Sequence, residues 1–352
     1  MKKRAFILSL MIFFLLSGCS SGGTSPADTI HPPDGWMLCE AYWKDEEHLI
    51  CVFRSEKDTS QTLAGEYNLK TGELNTFYEG DELGRGYPTG CVFSNQGNTL
   101  LYGGENCAVF DLEYNLLSIV ETIEFAKMRP SKEELFVLRI NEPSGIAVMS
   151  AAKQPKMVLL TEKEHQIYEN AQWNPNGENF AVAEVFEESF ELQRVLICTK
   201  AGQVLHAITP EELGENVLIY EFAGGHKPDE LYLYTYERDT NVLSIVVYNT
   251  SAMQVEKTLD IEAIHEFEES LEVEVWDSRE GVLLLNVYHF DEELNRYSSD
   301  LFLYQTETDE LIRVDRPREA LHSASISPDG SKLLYITKEP NEGKIIAILE
   351  KK

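Results

Sequence analysis

The chain has 352 residues, enough to bury a sizeable core as one large domain or two to three small ones. A composition of 43% hydrophobic and 10% aromatic residues excludes wholesale disorder. Sixty acidic residues against 30 basic ones give a formal charge of −30, which argues against nucleic-acid binding and against a surface that hugs anionic lipid.

In chain order, the first element is a targeting segment. Met1-Lys2-Lys3-Arg4 is a basic lead, and Ala5 to Leu16 is a mostly apolar run of 12 residues. That is too short to span a bilayer comfortably and has the length of a signal-peptide core. It ends in Leu16-Ser17-Gly18-Cys19, with the polar stretch Ser20 to Pro26 behind it. These residues resemble the lipobox of bacterial lipoproteins. The resemblance implies diacylglyceryl attachment to the Cys19 thiol, cleavage before Cys19 and usually acylation of the new amine, with an ordinary secretory signal and a chance Cys as the alternative. Residues 1–18 are then a signal peptide, 19–35 a lipidated flexible tether, and 36–352 the folded part. Two or three acyl chains anchor stably where one holds only marginally. The expected location is the extracytoplasmic face of the bacterial cell membrane, with the lipid bilayer as a partner through Cys19. Losing Lys2, Lys3 and Arg4 takes the formal charge from −30 to −33. No other stretch approaches ~18 apolar residues, so no transmembrane helix is expected.

Five further cysteines, Cys39, Cys51, Cys91, Cys107 and Cys198, are odd in number and lack CxxC spacing. Neither a zinc site nor a fully paired framework is indicated. A first hairpin turning at Lys44-Asp45-Glu46 would set Cys39 opposite Cys51. We read the pair as two buried thiols, with a cross-strand disulfide as the alternative in an oxidising compartment.

From Trp36 onward the chain consists of apolar or alternating runs of about 5–8 residues separated by turn residues, an all-β pattern. One hairpin recurs seven times. Its best copies are Trp173-Asn174-Pro175-Asn176-Gly177 and Ser327-Pro328-Asp329-Gly330, each followed by a compact apolar run. Pro presets φ, Asp or Asn bonds back to the backbone, and Gly accepts positive φ, so each reads as strand, tight turn, strand. Weaker copies centre on Asp45, Gly97, Pro130, Asp229 and Gly281. A second hairpin type interleaves, as in Glu66 to Phe77 around Thr71-Gly72. Two hairpins make four antiparallel strands in about 45 residues, the period of a propeller blade. The Ser-Pro-Asp-Gly turn before a Leu/Tyr-rich strand resembles the repeat of TolB-like propellers, found also in prolyl-oligopeptidase-type proteins. The resemblance implies an all-β propeller of four-stranded antiparallel blades, seven in number, with six or eight as alternatives. The last copy lacks an outer strand. Thr29-Ile30-His31, or part of Trp36 to Trp43, is expected to supply it and close the ring.

Chemistry is sparse. Related propellers cap serine peptidases, but no Gly-x-Ser-x-Gly elbow occurs. There is no His-Glu-x-x-His, EF-hand loop or Cys/His cluster, so no metal or cofactor is expected. The acidic run Glu266, Glu268, Glu269, Glu272, Glu274, Asp277 reads as a solvated strand face, with weak calcium binding as the alternative. Trp43, Phe93, Trp173, Phe222 and Trp276 recur just before the first turn and are read as packing between blades, a ligand platform being the alternative. The loop Glu79 to Tyr87 offers Arg85 and Tyr87 as binding contacts. The leading function is a non-catalytic binding module for a protein, peptide or envelope glycan. An enzyme (a lyase or hydrolase acting in the central channel) and an accessory subunit of an envelope or transporter complex are the alternatives, since fold alone does not choose among them.

Overall fold

The computed structural model describes residues 29–83, 90–93, 99–102, 106–121, 123–128, 134–139, 145–150, 156–160, 166–174, 177–186, 192–225, 227–240, 242–260, 272–279, 281–291, 296–314, 320–338 and 343–347. They form seven four-stranded antiparallel sheets. Blades 1 to 6 are simple meanders within residues 36–80, 90–121, 123–160, 166–208, 217–260 and 272–313. First strands touch one another between blades 1 and 2, 2 and 3, 3 and 4, 4 and 5, and 6 and 7, and the first strand of blade 7 touches that of blade 1. They therefore line the centre of a closed ring, a β-propeller.

Apolar layers fill the spaces between blades. In the second strand of blade 5, Glu230–Glu237, Leu231 and Leu233 join the cluster shared with blade 4, while Tyr232 and Tyr234 join the one shared with blade 6. A strand covered on both faces must be apolar at successive positions, not alternate ones. The recurrent aromatics serve this packing. Trp43, Trp173 and Phe222 are buried, and Trp276 packs against the cluster between blades 6 and 7. Trp43 also donates its Nε1–H to the Ser325 carbonyl across the junction of blades 1 and 7, at 3.3 Å. The side chain of Phe93 lies outside the described residues.

The turn chemistry holds. Gly330 N–H donates to the Ser327 carbonyl at 2.9 Å with Gly330 at φ 71°, a value glycine adopts without a Cβ penalty. Asp329 accepts from the Ser327 and Ser331 hydroxyls and from the Ser331 N–H. These bonds to the ionised form pull its carboxyl down to about 2.

Ring closure comes from the N-terminal side. Thr29–Ile30 pairs antiparallel with Gly343–Ala347, Thr29 opposite Lys344 and Ile30 opposite Gly343, and completes blade 7. Ile30 is fully buried beside Leu38, Ile336 and Ile345. Of the two candidates for the closing strand, Thr29–Ile30 supplies it, so the propeller includes these two residues ahead of Trp36.

Cys39 and Cys51 are the two buried thiols expected, but they do not face each other: the register sets Ala41 opposite Cys51 and shifts between Leu38 and Glu40, so Cys39 sits in a bulge with no direct partner. Both are free, buried thiols. Burial pushes the Cys39 thiol up to about 12 and raises that of Cys51 further. Similar shifts interrupt the first strands of blades 3, 4, 5, 6 and 7.

Connections sort onto two faces. First and third strands run toward a tight-turn face, where turns such as 44–47, 69–73 and 327–331 lie, and second and fourth strands run toward the opposite, loop face, where connections such as 56–61 and 209–216 lie.

Candidate functional site

Two places concentrate polar groups. One is a cavity of about 380 Å³ on the loop face, between blades 4 and 5. The connection from blade 4 to blade 5 builds it. Thr209 precedes a single helical turn, Pro210–Leu213, with Pro at its start, where no N–H is needed. Gly214 N–H donates to the Pro210 carbonyl at 3.2 Å, and Asn216 takes a left-handed φ of 61°. The Asn216 carbonyl accepts the Arg238 N–H at 3.0 Å, and its side-chain amide donates to Asp239 at 2.6 Å. Gln193, Glu211, Glu215, Asn216 and Arg238 supply the polar lining, and Pro210 and Leu218 supply apolar surface. One guanidinium, two carboxylates and two amides suit a ligand with both donors and acceptors. Behind the helical turn, Glu212 accepts from the Tyr248 hydroxyl at 3.0 Å and lies 3.1 Å from His206 Nε2, which pins the turn to blades 4 and 5.

The second place is the ring of inner strands. Glu40 on blade 1 accepts the Ser323 hydroxyl of blade 7 at 2.9 Å, and burial pushes its carboxyl up to about 7. Asp277 on blade 6 accepts the Ile326 N–H of blade 7 at 2.8 Å, and burial raises its carboxyl too. Glu274 accepts from the Trp276 indole at 2.6 Å. Ser278 donates to the Gly224 carbonyl of blade 5 at 3.2 Å. Three of these four contacts cross between blades. Among the described residues, no group of three or more His, Cys, Asp or Glu side chains could hold a metal ion.

Several expected residues are now placed. Arg85 and Tyr87 lie outside the described residues, as does Cys19. In the acidic run, Glu274 and Asp277 are not a solvated face; they are partly buried and bonded to Trp276 and Ile326. Glu266, Glu268 and Glu269 lie outside the described residues. The cavity residues were missed. The signal present was Thr209-Pro210-Glu211-Glu212, a helix-start pattern inside an otherwise all-β chain.

No protein-family model matches the chain, and no curated protein matches it. Solved structures do. The β-propeller domain of Cps50 (Swd1) from Myceliophteria thermophila aligns at 10% identity over 91% of this chain and 99% of that chain, with a TM-score of 0.66. Oligogalacturonate lyase from Vibrio parahaemolyticus aligns at 10% identity over 90% and 91%, also at 0.66. A chain of the mitotic checkpoint complex aligns at 14% identity over 93% and 96%, at 0.60. At such identities the likeness is one of fold, and the fold is the β-propeller.

Proposed function

We propose that this chain is a bacterial envelope lipoprotein, held by acylated Cys19 on the extracytoplasmic face of the membrane, whose propeller is a non-catalytic binding module for a protein, peptide or envelope glycan. The observation that carries the binding role is the loop-face cavity between blades 4 and 5. It joins Arg238, Gln193 and Asn216 to two carboxylates in one recess, and loops on a rigid scaffold are where recognition usually resides. The fold supports a binding or scaffold role, and the likeness to a chain of the mitotic checkpoint complex sets this propeller beside one that works in a protein assembly. The accessory-subunit reading differs only in the partner's permanence.

The enzyme reading has one observation in its favour, the Glu40 carboxyl held up to about 7 at the ring centre. Its bond to Ser323 gives it a structural task already.

The test is a pull-down from detergent-solubilised membranes with the parent chain and with Arg238→Glu. A stoichiometric partner retained by the parent and lost by the variant supports the cavity as the site. Equal retention would move the binding surface elsewhere. Anchoring is tested separately, since Cys19→Ala should release the protein from the membrane fraction.

A further inference from the structure

We infer that the outer rim of blade 2 is a second docking surface, separate from the cavity between blades 4 and 5, and that its occupant is an extended segment of a partner polypeptide with alternating apolar residues and basic flanks. The fourth strand of blade 2, Leu116–Glu121, is the edge of its sheet, and among the described residues no strand pairs on its outer side. An edge strand offers a row of backbone groups that another strand can continue, and proteins guard such edges with charged residues or proline. Other outer strands carry that guard. Glu256 and Lys257 are exposed on blade 5, Asn75, Thr76 and Glu79 on blade 1, and Glu310 and Arg313 end the strand of blade 6. Blade 4 exposes Val204 and Leu205, but the next residue, His206, holds the Glu212 carboxylate at 3.1 Å. On blade 2 the exposed side chains are apolar: Leu116 at 48%, Leu117 at 44% and Ile119 at 36%, with Leu112 at 58% in the turn before them. The stretch Leu116 to Val120 holds no charged residue and no proline.

Pairing decides which way these side chains point, because opposite residues on neighbouring strands share a face. Ile119 pairs with Ala108 and Leu116 with Phe110. Ala108 and Phe110 turn to blade 1, in the apolar layer with Ile50, Val52 and Tyr78. Leu116 and Ile119 therefore carry that layer past its rim into solvent. The junction beneath them is firm: Phe77 of blade 1 stacks on Tyr114 of blade 2, ring centroids 4.2 Å apart and planes 7° from parallel. A strand added to this edge turns alternate apolar side chains onto Leu116 and Ile119 and away from water. Charge selects the occupant. The two rim hairpins, residues 62–80 and 106–121, contain one basic residue, Lys70. It is engaged by Glu47 at 2.5 Å, and Lys44 alongside is engaged by Glu66 at 2.5 Å. Glu73, Glu79 and Glu113 are exposed carboxylates. A second copy would set the same carboxylates, and a chain of formal charge −30, against their like. Lysine or arginine at the ends of a partner segment meets them favourably.

The test uses the full chain in dodecyl maltoside and a fluorescein-labelled peptide of alternating valine and threonine with two lysines at each end. Fluorescence polarisation reads its binding to the parent chain, to Ile119→Lys and to Val255→Lys. Val255 is 38% exposed on the outer strand of blade 5, so its substitution makes the same change of charge away from the strip. Ile119→Lys should weaken binding by about tenfold or more, while Val255→Lys stays within about twofold of the parent. The same peptide flanked by glutamates should bind the parent about tenfold more weakly or worse. If Ile119→Lys lowers the urea midpoint, Leu117→Lys is read in its place. No binding by the parent, equal loss in both lysine variants, or equal affinity for the glutamate-flanked peptide overturns the proposal. A parent dimer in sedimentation velocity that Ile119→Lys converts to monomer also overturns it, by making a second copy the occupant. Loss of the peptide with Arg238→Glu, and not with Ile119→Lys, would place it in the cavity; failure at the rim otherwise leaves the cavity reading standing.

Discussion

Replacing Glu40 by Gln tests the account of the ring's centre most directly. In the folded chain, burial between blades 1 and 7 raises this carboxyl from its ordinary 4.5 to about 7. The folded state therefore binds the Glu40 proton more tightly than the unfolded state does, and the contribution of this one group to stability is greatest below pH 4.5. It declines as pH rises through the window from 4.5 to about 7 and is flat beyond. The full gap corresponds to about 3 kcal/mol, and partial access of water to Glu40 reduces this to about 1–3 kcal/mol. Glu40→Gln stays neutral, and its amide oxygen can still accept the Ser323 hydroxyl. Urea unfolding at pH 4.5 and pH 8 should show parent and variant nearly equal at the lower pH, with the variant more stable by about 1–3 kcal/mol at the higher. Ser323→Ala provides the converse, because it removes a bond to the charged form and should cost more at pH 8 than at pH 4.5. A parent–variant difference that is the same at both pH values would refute the reasoning.

Three other outcomes follow from particular contacts. Ile30→Ala empties a fully buried position in the closing strand and should destabilise by about 2–4 kcal/mol; a shift below ~0.5 kcal/mol in urea unfolding would mean that blade 7 does not depend on this strand. Gly330→Ala meets nothing within 4 Å, so its cost is that of φ 71° alone, about 1 kcal/mol, whereas Gly343→Ala drives a Cβ to 2.8 Å from Ile30 Cδ1 and should cost more. Comparing their midpoints decides between local conformation and closure packing. Cys39, Cys51, Cys107 and Cys198 are buried thiols, so maleimide should modify them only after denaturation, and a disulfide-linked Cys39–Cys51 peptide in a non-reducing digest would contradict the bulged register.

The repeat was legible in the sequence because hairpin information is local. Ser327-Pro328-Asp329-Gly330 specifies its turn through bonds among neighbours in the chain, and the alternation of apolar runs says where strands lie. The aromatics Trp43, Trp173, Phe222 and Trp276 before the first turn could be read as packing for the same reason, since a repeated fold needs similar plugs in its copies. Glu274 and Asp277 were misread because spacing along one strand does not say which side of it meets a neighbouring blade. Cys39 and Cys51 were set opposite each other by counting from Asp45, but the hairpin is centred one residue later, with Trp43 opposite Leu49, and this already sets Ala41 opposite Cys51 before the bulge at Cys39 is reached.

The sequence by itself determined a strand-turn-strand repeat of blade length and its turn geometry. Only the tertiary structure decided how the ring closes and where its loops converge. Thr29–Ile30 is too short to carry a periodic signal, and its partner Gly343–Ala347 lies at the other end of the chain. Pairing over that separation rewards the chain only once every intervening blade has formed. The recess beside Arg238 is likewise a product of assembly, since blade 4, blade 5 and their connection each contribute one wall.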